Sequence, residues 1–116
     1  VVNGLIPRTR REKSYFTATA LAAGICEEIV FRGFLLYVLR RIFPELSPFL
    51  LAALAGTCFG AAHFYQGIKG VIKTGLLGIL FGFLYISTGS LYLCMAVHFL
   101  FDISAAFLCE EDKYEV

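Results

Sequence analysis

Four apolar stretches, separated by short breaks, follow one another along the chain. Each is about 16–29 residues long, close to the roughly 20 residues that a helix needs to cross the hydrocarbon core of a bilayer. The breaks contain prolines, glycines or a Ser-Thr-Gly-Ser segment, which are typical turn signals. The pattern therefore predicts four helices. The apolar stretches cover residues 15–43, 49–65, 71–86 and 91–109, and the breaks lie at 44–48, 67–70 and 87–90.

These stretches lack the polar outer face that a helix of a soluble bundle presents to water. Residues 49–55, for example, read Phe-Leu-Leu-Ala-Ala-Leu-Ala. Hydrophobic residues make up 59% of the chain and charged residues 16%, whereas soluble domains average about 45–50% and about 25%. A net charge of +1 leaves no basic excess for nucleic acid. The sequence therefore predicts an all-α integral membrane helical bundle with four transmembrane helices in the lipid bilayer.

Polar segments flank the apolar region. Residues 1–14 read as a basic juxtamembrane segment, 15–109 as the transmembrane domain and 110–116 as an acidic tail. Lys and Arg favour the cytosolic side of a membrane, and four spans place most of them on the side of the two termini. We therefore expect a multi-pass cell-membrane protein with both termini in the cytosol. Arg8, Arg10, Arg11, Lys13, Lys69, Lys73 and Lys113 lie on that side, and Arg40 and Arg41 on the other.

The four cysteines, at positions 26, 58, 94 and 109, form no CxxC motif. All lie in or at the end of apolar stretches, so we expect buried, reduced thiols that serve as small hydrophobes. Cys26 adjoins Glu27, but on a helix its side chain points about 100° away. No helix N-terminus or lysine lies there to activate it. The sequence therefore disfavours a thiol nucleophile.

Six ionisable residues interrupt the apolar stretches. A charged side chain at the centre of a membrane costs at least about 2.5–3.5 kcal/mol, so these groups must face the inside of the bundle and pair. Ionisable residues inside a membrane are by default a functional site. The six are Glu27, Glu28, Arg32, His63, His98 and Asp102.

The spacing of these residues predicts which of them pair. Glu28 and Arg32 are four residues apart, so they share one helix face. Glu27 lies about 100° around the same helix and is predicted to point elsewhere. His98 and Asp102 are also four apart, which lets the carboxylate hold the imidazole in one tautomer.

Glycines predict where helices approach each other. Gly56 with Gly60, and Gly78 with Gly82, are pairs of small residues four apart, which let helix backbones come close in lipid. His63 shares a helix face with Gly56 and Gly60, so it is predicted to face a neighbouring helix. Three helices thus bring polar groups to a common interior.

Two histidines and a free carboxylate allow two kinds of hydrolysis. Glu27 can act as a general base on a water molecule while histidines polarise the carbonyl or stabilise the oxyanion. Alternatively, Glu27, His63 and His98 can bind Zn²⁺, which activates the water. The same residues could instead form a network that only fixes helix packing. A proton-coupled transporter is a further alternative, but the paired broken helices of such proteins are not evident.

Three short motifs occur in order on successive apolar stretches. Residues 27–32 read EExxxR, residues 59–63 read FxxxH and residues 98–102 read HxxxD. In this order they resemble the CAAX-protease and bacteriocin-processing family, also called the Abi family, which includes the type II CAAX prenyl endopeptidases. The neighbouring stretches 31–35 and 62–67 are similar to bacterial members. The resemblance covers nearly the whole chain.

The resemblance implies an intramembrane endopeptidase that works without a bound metal or other cofactor. Its substrate would be a peptide or protein with a prenylated C-terminus, or a leader peptide, and a non-catalytic bacteriocin self-immunity protein is the alternative. The family usually has more helices and this chain begins at Val1 rather than Met, so we expect the catalytic core of a longer protein. In the implied roles Glu27 and His63 activate water, Glu28 and Arg32 support the site, and His98 and residue 102 form the oxyanion hole.

Position 102 departs from the family pattern. The prenyl-processing branch favours Asn there, whereas this chain has Asp102. An ionised aspartate only accepts hydrogen bonds. Asp102 is therefore expected either to be protonated or to orient His98.

The depth of the residues gives a geometric test. Glu27 lies about 20 Å of helical rise from Ser14, whereas His63 lies near the cytosolic end of its stretch. The first helix must therefore tilt, or begin outside the hydrocarbon, for the two to meet, and the site should open to the cytosolic leaflet. A separation above roughly 7 Å would contradict a water shared by Glu27 and His63.

Overall fold

The computed structural model describes the backbone of residues 6–111 and the side chains of residues 6–106. Within that range the chain consists of helices joined by short turns, with no strand, so the predicted all-α class is confirmed there. Residues 1–5 of the predicted juxtamembrane segment and 112–116 of the predicted acidic tail lie outside the described residues. The elements are α1 (Arg10–Glu28), a π-helical stretch (Ile29–Leu35), α2 (Leu36–Ile42), α3 (Pro48–Ala62), a 3₁₀ turn (Phe64–Gln66), α4 (Gly67–Thr88) and α5 (Leu91–Glu111).

The first apolar stretch is helical from end to end through α1, the π-helical stretch and α2, but the helix begins earlier than predicted. α1 starts at Arg10 instead of Tyr15, because a capping box closes its N-terminus. The Thr9 hydroxyl accepts from the N–H of Glu12 at 3.1 Å, and Glu12 Oε2 accepts from the N–H groups of Thr9 and Arg8 at 3.1 and 2.7 Å. These donors hold the pKa of Glu12 below its usual value.

One of the three predicted breaks differs in the structure. The turns at 44–48 and 87–90 end their helices as expected, but α4 begins at Gly67 and runs through Gly70. Gly67 makes the turn alone, with a φ of 78° that a residue without a Cβ adopts readily. Gly70 packs beneath the side chain of Gln66, with which a Cβ would collide. The second glycine therefore serves packing and not a break.

The predicted membrane topology is seen only in part. Among the described residues, one segment, Phe64–Thr88, is long and apolar enough to cross a membrane. Pro48–Ala62 and Leu91–Ala106 are apolar but shorter, since α3 stops at the turn that contains His63. In the first helix, Glu27, Glu28 and Arg32 interrupt the apolar sequence. Four spanning helices are therefore not confirmed.

The outer surface of the bundle is apolar. Phe34, Leu80 and Tyr92 are 66%, 60% and 84% exposed, and many other large apolar side chains share this position. Cys94 is buried, but Cys26 and Cys58 are exposed, so the expectation of buried thiols is wrong for these two. The reason is that an apolar stretch of such a bundle supplies the outer surface as well as the core. The side chain of Cys109 lies outside the described residues.

The glycines predicted to bring helices together line the contact between α3 and α4. A Cβ added to Gly56 would collide with the backbone of Gly78 and Ile79. One added to Gly60 would lie 2.7 Å from the Cα of Gly75 and 2.8 Å from the carbonyl oxygen of Val71. The two helices therefore touch backbone to backbone, which only glycine permits.

Gly60→Ala is expected to lower the free energy of unfolding by about 1–3 kcal/mol, because the methyl group forces two backbones apart. Gly75→Ala is the matched control in the same contact, since its Cβ would meet its nearest neighbour at an ordinary 3.7 Å. Thermal unfolding in detergent micelles, followed by circular dichroism, measures both. Equal stability of the two variants would contradict the close backbone contact between α3 and α4 at Gly60.

Candidate active site

The centre of the bundle is polar although its surroundings are not. Glu28, Arg32 and His98 are ionisable, yet each is at most 4% exposed. Burying such groups is costly unless they pair with one another. The rings of Phe59 and Phe81 pack against Arg32 and His98. The other buried apolar residues of the core include Leu36, Leu51, Ala52, Ala55 and Cys94.

α1 widens into a π-helix immediately after Glu28. The π-helical stretch carries Arg32, and the N–H of Leu36 at its end donates to the carbonyl of Phe31, five residues earlier. π-Helical turns are rare and occur mostly at functional sites. Here the stretch lies between the two adjacent glutamates and α2, and among the described residues it holds the one buried arginine.

Arg32 connects the π-helical stretch with α3 and α4. Its Nη1 donates to Glu28 Oε1 at 3.2 Å, which is the predicted pair. Its Nη2 donates to the carbonyl of Gly78 on α4 at 2.8 Å. The guanidinium carbon lies 4.7 Å from the ring centroid of Phe59 and 5.4 Å from that of Phe81, so both rings add cation–π stabilisation. The arginine is thus held from several sides.

Glu28 contacts His98 more closely than Asp102 does. His98 Nδ1 donates to Glu28 Oε1 at 2.8 Å, and the ring stacks on Phe81 with the centroids 5.3 Å apart. Asp102 Oδ2 lies 3.5 Å from the other nitrogen, Nε2, and is 35% exposed. The predicted contact of His98 with Asp102 is thus present, but the fully buried Glu28 makes the shorter contact. Glu28 Oε2 has no hydrogen-bond partner among the described residues.

Glu27 points away from Glu28, as the helical spacing predicts. Its Oε1 lies 3.6 Å from His63 Nε2, and its Oε2 lies 3.4 Å from His98 Nε2. His63 Nδ1 donates to the carbonyl of Phe59 at 2.7 Å, so in the neutral ring Nε2 directs a lone pair towards Glu27. The distance between Glu27 and His63 is within the range that a shared water requires. All six ionisable residues of the three motifs thus meet in one cluster.

A cavity of about 540 Å³ adjoins this cluster. Its walls are formed by α1, α4 and α5 together with the turn after α3, and the lining includes Glu27, His63, His98 and Asp102. Glu27 is 30% exposed and His63 12% exposed, so both face open space. The inner pair, Glu28 and Arg32, lies behind them.

Two lysines of the cavity wall were not among the predicted site residues. Lys69 and Lys73 of α4 line the cavity, whereas the sequence pattern assigned them only to the cytosolic side of the membrane. Their spacing of four residues, which places both on one face of a helix, is the signal that could have found them.

Among the described residues, the structure contains no preformed metal site that would support the zinc alternative. Within residues 6–106, no group of three or more His, Cys, Asp or Glu side chains is arranged so that it could hold a metal ion. In the proposed ligand set, Glu27, His63 and His98, the Nδ1 atoms of both rings are already engaged by Phe59 and Glu28. The Nε2 atoms remain and face Glu27.

A sequence model of the family described as type II CAAX prenyl endopeptidase Rce1-like matches residues 11–104 of the chain. The matched region is most of the chain and contains every residue of the cluster. Neither the curated proteins nor the solved structures include a significant match.

Proposed function

Because this chain belongs to the type II CAAX prenyl endopeptidase Rce1-like family, we propose that it is a membrane-embedded endopeptidase that cleaves a peptide bond with a water activated by Glu27 and His63. The family supports a protease that acts on a peptide or protein in the membrane. The observation that carries the mechanism is the approach of Glu27 Oε1 to His63 Nε2, 3.6 Å apart on the wall of a cavity.

The geometry of this pair favours a water molecule as the third partner. A carboxylate oxygen and the lone pair of a neutral Nε2 are both acceptors, so neither can satisfy the other. A water on the cavity side can lie about 2.8 Å from each and donate one hydrogen to each. Its own lone pairs then point into the cavity, where a substrate carbonyl would lie. Glu27 serves as the general base.

His98 is proposed to stabilise the oxyanion. Its Nδ1 donates to Glu28, so Nε2 carries a proton only in the imidazolium form. In that form Nε2–H is a charge-assisted donor for the oxyanion. Asp102 accepts hydrogen bonds when it is ionised, and its carboxylate, 3.5 Å from Nε2, is assigned the stabilisation of the positive charge of the imidazolium. This role differs from the donor role of an asparagine.

The proposed reaction proceeds in two steps. Glu27 takes a proton from the water while the water oxygen bonds to the carbonyl carbon, and the carbonyl π electrons move to the oxygen, which His98 stabilises. The tetrahedral intermediate then collapses, the C–N bond breaks, and the proton held by Glu27 passes to the leaving amine. The products are a carboxylic acid and an amine, and the enzyme returns to its starting state.

Chelation tests whether the proposed hydrolysis proceeds without a bound metal ion. With water activated by Glu27 and His63, incubation with 1,10-phenanthroline or EDTA is expected to leave the cleavage rate unchanged. Metal analysis of active protein should find less than one equivalent of zinc. Loss of activity on chelation, restored by Zn²⁺ alone, would favour the zinc hydrolase with Glu27, His63 and His98 as ligands.

The proposed substrate class follows the family description. A farnesylated peptide that ends in Cys-aliphatic-aliphatic-X is offered to the protein in lipid vesicles, beside the same peptide without the prenyl group and a bacteriocin leader peptide. Mass spectrometry of the products is expected to find the C-terminal tripeptide released from the prenylated peptide. If no peptide is cleaved although the protein is folded, the non-catalytic immunity or scaffold function takes the place of the protease.

A further inference from the structure

His63 lies where α3 ends and the chain turns towards α4, so a regular helix supports it from one side only. Its φ and ψ of −98° and 23° already depart from α-helical values. A displacement of about 1 Å in a reacting group can lower a rate about 10²-fold. The contacts of this turn therefore decide how well Nε2 of His63 faces Glu27.

Two aromatic rings pack against the imidazole of His63. The ring centroid of Phe59 lies 4.6 Å from that of His63, and the centroid of Tyr65 lies 5.7 Å from it. Phe59 belongs to α3 and is 3% exposed, whereas Tyr65 belongs to the turn and is 70% exposed. One ring is thus fixed by the core, and the position of the other depends on what holds the turn.

Gln66 connects the turn with α4 through both ends of its side-chain amide. Its Nε2 donates to the Tyr65 hydroxyl at 3.2 Å, and its Oε1 accepts from the Thr74 hydroxyl at 3.3 Å. Its backbone N–H donates to the carbonyl of His63 at 2.9 Å. One residue therefore contacts His63, the ring beside it and α4. We call the contacts of Gln66 with Tyr65 and Thr74 the Gln66 clasp.

Gly70 provides the space in which the Gln66 side chain lies. A Cβ at position 70 would collide with Cβ of Gln66 and lie 3.1 Å from its Oε1. Glycine inside a helix is less stable than alanine, and the backbone of Gly70 does not require it, since the glycines with positive φ are Gly67 and Gly89. The contact with Gln66 therefore accounts for the glycine, independently of the two hydrogen bonds.

We propose that Gln66 is a positioning residue: by closing over Gly70 onto α4 it holds the turn and Tyr65, and so keeps Nε2 of His63 directed at Glu27. This inference rests on the proposed function, in which His63 helps to activate the water. Within the described residues the Gln66 amide bonds to Tyr65 and Thr74 and not to the reacting groups. Its loss is therefore expected to lower kcat and leave KM nearly unchanged.

Initial rates of cleavage of the farnesylated peptide measure the effect. Gln66→Met keeps the length of the side chain but removes both amide hydrogen bonds, and kcat is expected to fall about 3- to 10-fold. Gly70→Ala displaces the whole side chain and is expected to lower kcat about 10- to 100-fold, although alanine favours the helix. Gly75→Ala is the matched control on α4, since its Cβ meets its nearest neighbour at 3.7 Å. Wild-type kcat in both Gln66→Met and Gly70→Ala would overturn the proposal.

A double-mutant cycle tests whether Thr74 acts through Gln66. Thr74→Val is expected to lower kcat about 2- to 5-fold in the wild-type background. It should have no further effect beside Gln66→Met, because the contact that it removes is already absent. Thr57→Val, which removes an exposed hydroxyl that donates to its own helix, is the matched control. An equal fall in kcat in the two backgrounds would exclude the clasp.

The imidazole of His63 can be observed without any cleavage. The chain has two histidines, so protein labelled with ¹⁵N-histidine gives two sets of ring signals, which His63→Asn assigns. In the neutral wild-type ring the contact with the Phe59 carbonyl keeps the proton on Nδ1. Gln66→Met is expected to bring the two tautomers of His63 into exchange, while the His98 signals and the thermal unfolding remain those of the wild type.

The spectra separate this proposal from the protease function. A single Nδ1–H tautomer of His63 in both Gln66→Met and Gly70→Ala would show that Gln66 does not position the ring, whatever their kcat. If the wild-type protein cleaves no peptide, the protease proposal fails, but the tautomer of His63 still decides whether the Gln66 clasp holds the imidazole.

Discussion

Glu27→Gln protein is expected to lose peptide-bond hydrolysis, with kcat falling by about 10²–10⁴-fold, the contribution typical of a general base. Glutamine fills the same space, and its amide can donate to the lone pair of His63, so the fold should be retained. It has no carboxylate to take the proton from water. Initial rates of cleavage of the farnesylated peptide in vesicles measure the effect, with circular dichroism as the check on helix content.

Glu12→Gln is the matched control for this change. Glu12 lies in the capping box at the exposed start of α1, where glutamine serves as well as glutamate, and wild-type rates are expected. In cells, peptide termini that vanish from the membrane with Glu27→Gln, and remain with Glu12→Gln, would identify the natural substrates. A Glu27→Gln protein of normal abundance that cleaves at the wild-type rate would exclude Glu27 as the base.

Arg32→Ala is expected to lower the free energy of unfolding by about 3–5 kcal/mol, the cost of breaking a buried ion pair. The change leaves the carboxylate of Glu28 buried with one donor fewer, removes the donor to the Gly78 carbonyl, and opens space between the rings of Phe59 and Phe81. Denaturant unfolding in mixed micelles, followed by circular dichroism, measures the loss.

Two further variants test whether the unpaired buried charge causes this loss of stability. Arg41→Ala removes an exposed arginine and is expected to change stability by less than about 0.5 kcal/mol. Glu28→Gln with Arg32→Met removes both charges, and it should be less destabilised than Arg32→Ala, because no unpaired charge remains. If Arg32→Ala unfolds no more easily than Arg41→Ala, the pair does not stabilise the bundle.

The helical layout could be predicted wherever its signal is local. Apolar stretch length and the proline and Ser-Thr-Gly-Ser turns placed the helices. The differences are the helix ends, the π-helical stretch and the position of the turn before α4. The early start of α1 also had a local signal, since Thr9 and Glu12 have the spacing of a capping box. The first turn is polar, however, so it lies outside the apolar pattern that predicted the helix. The π-helical stretch has no such signal, because its sequence is that of an ordinary apolar helix.

The site was predictable only where partners share a helix. Glu28 with Arg32, and the different direction of Glu27, follow from helical geometry alone. The contact of His98 with Glu28 joins residues 70 apart, and that of Arg32 with Gly78 joins residues 46 apart. Pairing between helices depends on how the helices pack, and the spacing of residues within one helix does not determine that packing. The spacing therefore indicated the contact of His98 with Asp102 but not its shorter contact with Glu28.

These separations in sequence also determine the order in which the contacts can form while the chain is being synthesised. The close contact of α3 and α4 joins neighbouring elements, so it can form soon after both have emerged. Glu27 and Glu28 emerge earlier, but Gly78 follows with α4, and His98 follows only with α5. Until then Glu28 lacks the imidazole that it contacts, and Glu27 has only that of His63. In the proposed mechanism the hydrolytic centre is therefore incomplete before α5 is made, and a product truncated ahead of α5 is expected to be inert.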